Sequence, residues 1–163
     1  EAQWANNPNP WVAVCDRTWL KAHLSALEQA GLPAHRIVPE LAPGTQTSPV
    51  QLTALGDPDA GWLWVSHIQH GVYGQPMASL RQAGLAIHER LGLSESDLAA
   101  ASLQAEPGAV SLASKLLASE VRLISPAQHW QAALAGDWDL AQFDQKQLGN
   151  ALVCVYFAKS DPD

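Results

Sequence analysis

His67 and His70 are two imidazoles three residues apart, the spacing at which a metal site is first worth testing. A zinc site needs three or four donors at fitted spacing. An extended chain sends these two to opposite faces, so a shared ion requires a turn at His70-Gly71 and a third ligand that the neighbouring sequence does not supply. Hydrogen-bonded or solvated histidines are therefore expected. Asp137 and Asp139 flank Trp138 and, in an extended segment, point the same way. Paired carboxylates can do acid–base work, but no basic anchor for a substrate lies beside them, and a charged loop around a buried Trp138 is the plainer expectation. Cys15 lies between Val14 and Asp16, whose charge opposes a thiolate. Cys15 and Cys154 both sit in apolar, strand-like runs, where cysteine behaves as a small buried hydrophobe and a disulfide between them is not expected.

The remaining catalytic signatures are missing from the sequence. No Gly-x-Ser-x-Gly elbow presents a serine, and neither Gly-x-x-x-x-Gly-Lys-(Ser/Thr) nor Gly-x-Gly-x-x-Gly is present to cradle phosphates. The stretch from His70 to Gly74 is too poor in glycine for that task and reads as a turn. No catalytic, cofactor-binding or metal residue is assigned, and no cofactor is expected. The seven tryptophans, Trp4, Trp11, Trp19, Trp62, Trp64, Trp130 and Trp138, are the unusual compositional feature. Core packing is the ordinary use of so large an apolar side chain. Trp62 and Trp64, two apart, share one face of a strand and could equally form an aromatic docking patch.

The elements that would position these residues follow from periodicity and punctuation. Trp11 to Asp16 is an apolar run of the kind buried in a sheet; Leu20, Leu24 and Leu27 recur on one helical face until Gly31 and Pro33; Ile37-Val38 then ends a second strand at Pro39. This predicts a βαβ-like unit. The stretch from Leu41 to Asp59 has loop composition, with an edge strand at 50–55. A hairpin follows from Trp62 to Tyr73, closed by Gly74 and Pro76. The spacing of Leu80, Leu85, Ala86 and Leu91 predicts a helix over 78–91 ended by Gly92, and Ser94 opens a short helix through Leu103. After a break at Glu106-Pro107-Gly108 comes the segment 110–117, then a strand over 121–125, an Ala-rich helix from Pro126 to near Gly136, and a last strand over 152–157. Alternating strands and helices favour a layered α/β domain.

At 163 residues the chain is read as a single domain, long enough for a real core. Opening on Glu1 with prolines at 8 and 10, it is expected to be a piece of a longer protein, with flexible ends at 1–10 and 158–163. A net charge of −7 with nine scattered basic residues argues against a nucleic-acid groove. No apolar run approaches the ~18 residues of a membrane span, so the piece itself is expected to be soluble.

One resemblance emerges from the order of several soft motifs. Asp16-Arg17 followed by Trp19-Leu20, then the series Leu24, Leu27, Ala30, Gly31 and Leu32, and the closing run Arg36 to Glu40 resemble the cytoplasmic region of the type II secretion system protein L. Gly136 to Phe143 resembles a segment that those proteins carry shortly before their membrane helix, and Trp62 to Val65 with Gly71 to Gly74 fits their strand–turn–strand stretch in pattern. The basic residues that usually precede the family's membrane span are reduced here to Lys146 and Lys159.

The resemblance implies an actin-like ATPase or ribonuclease-H-like fold, of which this chain is a C-terminal portion, and a non-catalytic scaffold rather than an enzyme. It implies that the protein, at the cytoplasmic face of the bacterial inner membrane, binds the N-terminal domain of the secretion ATPase (the E component). Through its full length it would also engage the M component, and a homodimer is left open. The alternative is a nucleotide-binding lobe of an actin- or sugar-kinase-like ATPase. A third is a pilus-assembly relative that holds a short peptide in a groove beside a free sheet edge.

Overall fold

The computed structural model describes residues 11, 13, 15–57, 59–81 and 84–140, with the backbone of 151–155. In chain order the elements are α1 (Arg17–Gln29), β1 (Ala34–Pro39), β2 (Val50–Leu55), β3 (Trp62–His67), β4 (Gly71–Pro76), α2 (Met77–Leu80), α3 (Ile87–Arg90), α4 (Glu95–Ala100), β5 (Ser102–Ala105), α5 (Val110–Leu117), β6 (Arg122–Leu123), α6 (Pro126–Ala135) and β7 (Ala151–Val155). They fall into two compact units. Described residues up to Pro39, with 138–140 and β7, form the first, and Glu40–Asp137 the second.

In the first unit Asp16 caps α1, its carboxylate accepting the Trp19 N–H at 2.8 Å and satisfying one of the orphan donors of the first turn. The helix then lays Leu20 and Leu24 on Ala34 and Ile37 of β1, the 3.6-residue stripe meeting the inward side of a strand. The expected strand over 11–16 is corrected here, because none of its described residues is in a strand and Asp16 serves as a helix cap. The partner of β1 comes from the far end of the chain: β7 runs parallel to it, with Ile37 opposite Val153 and Pro39 opposite Val155. That pairing is decided by residues more than a hundred positions away. The last two residues of the expected strand over 152–157 lie outside the described residues, as do the expected flexible ends.

The second unit is a five-stranded mixed sheet in the order β4-β3-β2-β5-β6. β2, β3 and β4 form an antiparallel meander, while β5 is parallel to β2 and β6 parallel to β5, each reached through a helical crossover of the kind parallel pairing needs. This establishes a mixed α/β architecture. One sheet face carries Leu52, Ala54, Leu63, Val65 and Ala105, all essentially without solvent exposure, against Met77, Leu80, Leu91, Ala109, Ala113 and Leu117 from the helical segments. Each such large side chain stabilises the fold by about 1.5–3 kcal/mol.

Three expectations fail in this unit. The segment 50–55 is the central strand rather than an edge, since β2 pairs with both β3 and β5 and five of its six residues are buried. The helix expected over 78–91 is two four-residue helices, α2 and α3, and of its proposed stripe Leu80 and Leu91 are buried while Leu85 is 62% exposed. The short helix opened by Ser94 stops at Ala100, and Leu103 belongs to β5, whose four residues satisfy their backbone groups against β2. The hairpin is as expected, with Gly71 supplying the positive φ of 76° at its turn, although Gly74 lies within β4 rather than closing it.

Candidate functional site

The turn between β3 and β4 does bring the two histidines together. Their rings stack with centroids 4.3 Å apart. His67 is buried, and its Nδ1 accepts the N–H groups of Gln69 at 2.9 Å and His70 at 3.1 Å, which places the imidazole proton on Nε2. Nε2 faces Asp97 Oδ1 across 3.9 Å. Burial, reinforced by neighbouring His70, pushes His67 below the ordinary histidine value, and Asp97 opposes this without overturning it. Asp97 is held below the ordinary carboxylate range chiefly by the Ser94 hydroxyl at 2.6 Å and then by the Ser94 N–H at 3.2 Å, an arrangement that caps α4. Every polar atom at this corner that the hydrogen bonds reach is spent on shaping a turn and a helix start. Among the described residues no three His, Cys, Asp or Glu side chains are placed to share a metal ion.

A second constellation escaped sequence reasoning because its members are far apart in the chain. His129 Nε2 donates to Glu40 Oε1 at 2.9 Å, with both side chains almost fully buried, and the other carboxylate oxygen, Oε2, is buried without a partner. His129 stands on α6, whose start is fixed by Ser125 and Pro126, the hydroxyl accepting the Gln128 N–H and the Gln128 side chain returning the bond. The pair clamps α6 to the segment that follows β1. A buried charge needs such a partner.

The sheet face opposite the main core carries one row in register across all five strands, Gly74, Trp64, Thr53, Gln104 and Arg122, the last three polar. Gln104 donates to Thr53 at 3.1 Å and Arg122 reaches Gln104 at 3.5 Å. Trp62 shares this face with Trp64, as their spacing predicts, and the two rings stack at 5.7 Å. Trp64 lies over Gly74, where a Cβ would come within 2.6 Å of the indole. The expectation that tryptophans build the core is corrected. Trp11, Trp19, Trp62 and Trp130 are exposed, Trp64 and Trp138 half-buried, and Trp4 lies outside the described residues. Aliphatic residues, alanines and Met77 fill the sheet–helix interface instead.

An open groove of about 500 Å³ lies between α2, α3 and α5 and combines apolar surface with positive charge. Leu80, Leu85, Ile87, Leu112 and Leu116 line it, and Arg81, Arg90 and Lys115 supply the charge. β4 sets its geometry from beneath: Tyr73 donates to the Leu91 carbonyl at 2.7 Å and Gln75 to the Arg90 carbonyl at 2.8 Å, satisfying the open end of α3. Arg90 in turn donates to the Leu80 carbonyl at the end of α2, tying the two short helices together. On α5, Ala113 and Leu117 go into the core while Leu112, Lys115 and Leu116 face the groove, the i, i+3, i+4 arithmetic of a helix seated on a sheet. The sequence hid this site because its cations are separated by up to 34 positions and its walls exist only once the expected single helix is broken in two.

The other residues singled out in the sequence are accounted for separately. Cys15 is a free, half-buried thiol, raised above its ordinary value by burial first and Asp16 second. Cys154 contributes its backbone to β7. Asp139 Oδ1 accepts the Ile37 N–H at 3.3 Å and Arg36 donates to the Trp138 carbonyl at 2.9 Å, so this stretch fastens to β1, and Trp138 is half-buried rather than buried. No helix among the described residues is long and apolar enough to cross a membrane. Compared with known protein families, with curated proteins and with solved structures, the chain matches none.

Proposed function

We propose that this chain is a non-catalytic scaffold from the cytoplasmic region of a type II secretion system protein L. In that role it recruits the secretion ATPase to the inner membrane by binding its N-terminal domain, while the full-length protein connects to the M component. The observation that carries the reading is the order and direction of the sheet strands. A three-stranded antiparallel meander whose first strand lies at the centre, followed by two strands parallel to it and reached through helices, is the order expected of a ribonuclease-H-type sheet, and hence of the actin-like fold that the sequence resemblance implies. The central row across the sheet offers Thr53 and Gln104, not carboxylates, and the His67 and His129 clusters are absorbed in caps and clamps. A scaffold needs rigid, complementary surface more than perturbed side chains.

The test is a calorimetric titration of the chain with the N-terminal domain of the secretion ATPase, and separately with ATP and magnesium. Binding of the ATPase domain without nucleotide supports the scaffold. Nucleotide binding without the partner overturns it in favour of a nucleotide-binding lobe of an actin-like ATPase.

A further inference from the structure

The geometry points to the α2–α3–α5 groove as a docking site for an acidic amphipathic helix from a partner protein. Three of the chain's nine basic residues, Arg81, Arg90 and Lys115, converge there in a molecule whose net charge is −7. Among the described residues none of the three forms an ion pair. The nearest acid on α3, Glu89, is occupied, its Oε2 accepting the Ala86 N–H at 3.0 Å as a cap. Arg81 and Lys115 are exposed, and Arg90 keeps guanidinium donors beyond the one that holds the Leu80 carbonyl. Guanidinium groups pair carboxylates through two parallel bonds, which fixes both position and orientation.

The apolar part of the groove selects the rest of the occupant. Leu85, 62% exposed beside the bend at Gly84, stands at the mouth, with Ile87, Leu112 and Leu116 within. A partner must therefore bring an apolar stripe flanked by carboxylates. The lining residues come from two short helices, Arg81, Leu85 and α5, with no sheet edge among them, so strand addition has no backbone to pair with and a helix seated through i, i+3, i+4 anchors is the mode that fits. A nucleic acid lacks the apolar stripe and is repelled by the overall charge. This inference stands on the groove alone and does not require the secretion-system reading.

The experiment uses two synthetic helices with the same leucine stripe, one flanked by glutamates and one by lysines, titrated against the whole chain by fluorescence anisotropy and by amide shifts. The glutamate helix is expected to bind, to shift Leu112 and Leu116, and to weaken as salt is raised. In the double variant Arg81→Glu with Lys115→Glu its affinity is expected to fall at least about tenfold, because attraction becomes like-charge repulsion, while the lysine helix gains. Both substituted side chains are exposed, and an unchanged circular dichroism spectrum separates loss of docking from loss of fold. Equal binding of both helices, binding untouched by the double variant, or no binding of the glutamate helix overturns the proposal. A tighter response to dodecanoate than to the glutamate helix overturns it too, reassigning the groove to small carboxylic amphiphiles. If the ATPase domain fails to bind the chain while the glutamate helix binds as described, the scaffold reading falls and the groove stands.

Discussion

Gly44→Ala tests how the loop before the central strand is held. A Cβ at this position falls 2.3 Å from the Pro49 carbonyl oxygen and 2.8 Å from the Ile68 nitrogen, which are the acceptor and donor of one hydrogen bond 2.8 Å long. The methyl therefore wedges into the bond that fastens the loop to the β3–β4 turn. Both neighbours are backbone, so no side-chain rotation relieves the contact, and ordinary approach is regained only by a separation of roughly 1 Å, which breaks the bond. Losing a backbone hydrogen bond costs about 0.5–1.5 kcal/mol net, and forcing an added carbon into packed surroundings about 1–3 kcal/mol. A destabilisation of about 1.5–4.5 kcal/mol is expected from these two contributions. Urea unfolding followed by tryptophan fluorescence reads the total, and hydrogen exchange of the Ile68 amide reads the local part. A loss below about 0.5 kcal/mol, the range of an inert surface change, together with unaltered Ile68 exchange would refute the reasoning.

The buried pair gives a second expectation: Glu40→Ala or His129→Ala is destabilising by about 3–5 kcal/mol, because each strands a buried polar partner, whereas replacing both together by apolar residues costs much less. A double-mutant cycle by urea denaturation measures the difference. Ala118 ends α5 with φ at 47°, a left-handed conformation that a Cβ disfavours. Ala118→Gly is expected to leave stability unchanged or raise it by up to about 1 kcal/mol, the released strain being partly offset by glycine's larger freedom when unfolded; a clear loss of stability in thermal melts would contradict this. His67, depressed in the folded state, binds its proton more readily in the unfolded chain. Its contribution is therefore fully present above the ordinary value of 6.5 and is lost as pH falls from there through the depressed folded value. NMR titration should show the His67 ring changing charge below 6.5, and His67→Gln should flatten the acid limb of the stability curve. Leu63→Ala, in the centre of the core face, should cost about 2–5 kcal/mol by calorimetry.

Much of the local structure is written in local residues. Asp16 and the Leu20/Leu24 stripe specify α1, Ser94 with Asp97 and Ser125 with Gln128 specify the starts of α4 and α6, and Trp62 and Trp64 must share a face whatever else the sheet does. These signals act within a few residues, so a reader of the chain can recover them. The α/β class follows from their alternation. The end of α5 carried no such signal, because an alanine, not a glycine, takes the left-handed position there.

Tertiary structure decided the rest, for a common physical reason: strand pairing and charge clustering are set by partners distant in sequence. Val50 to Leu55 read as an edge until β5 supplied a parallel neighbour, and β5 itself, four residues long, is too short to display a period before β2 satisfies its backbone. β1 is completed by β7, and Glu40 finds its hydrogen-bond partner in His129, 89 positions on. The groove is the extreme case. Arg81, Arg90 and Lys115 are three unremarkable surface residues in the sequence, and only the packing of α2, of α3 (its end held by Tyr73 and Gln75) and of α5 brings them to one apolar cleft.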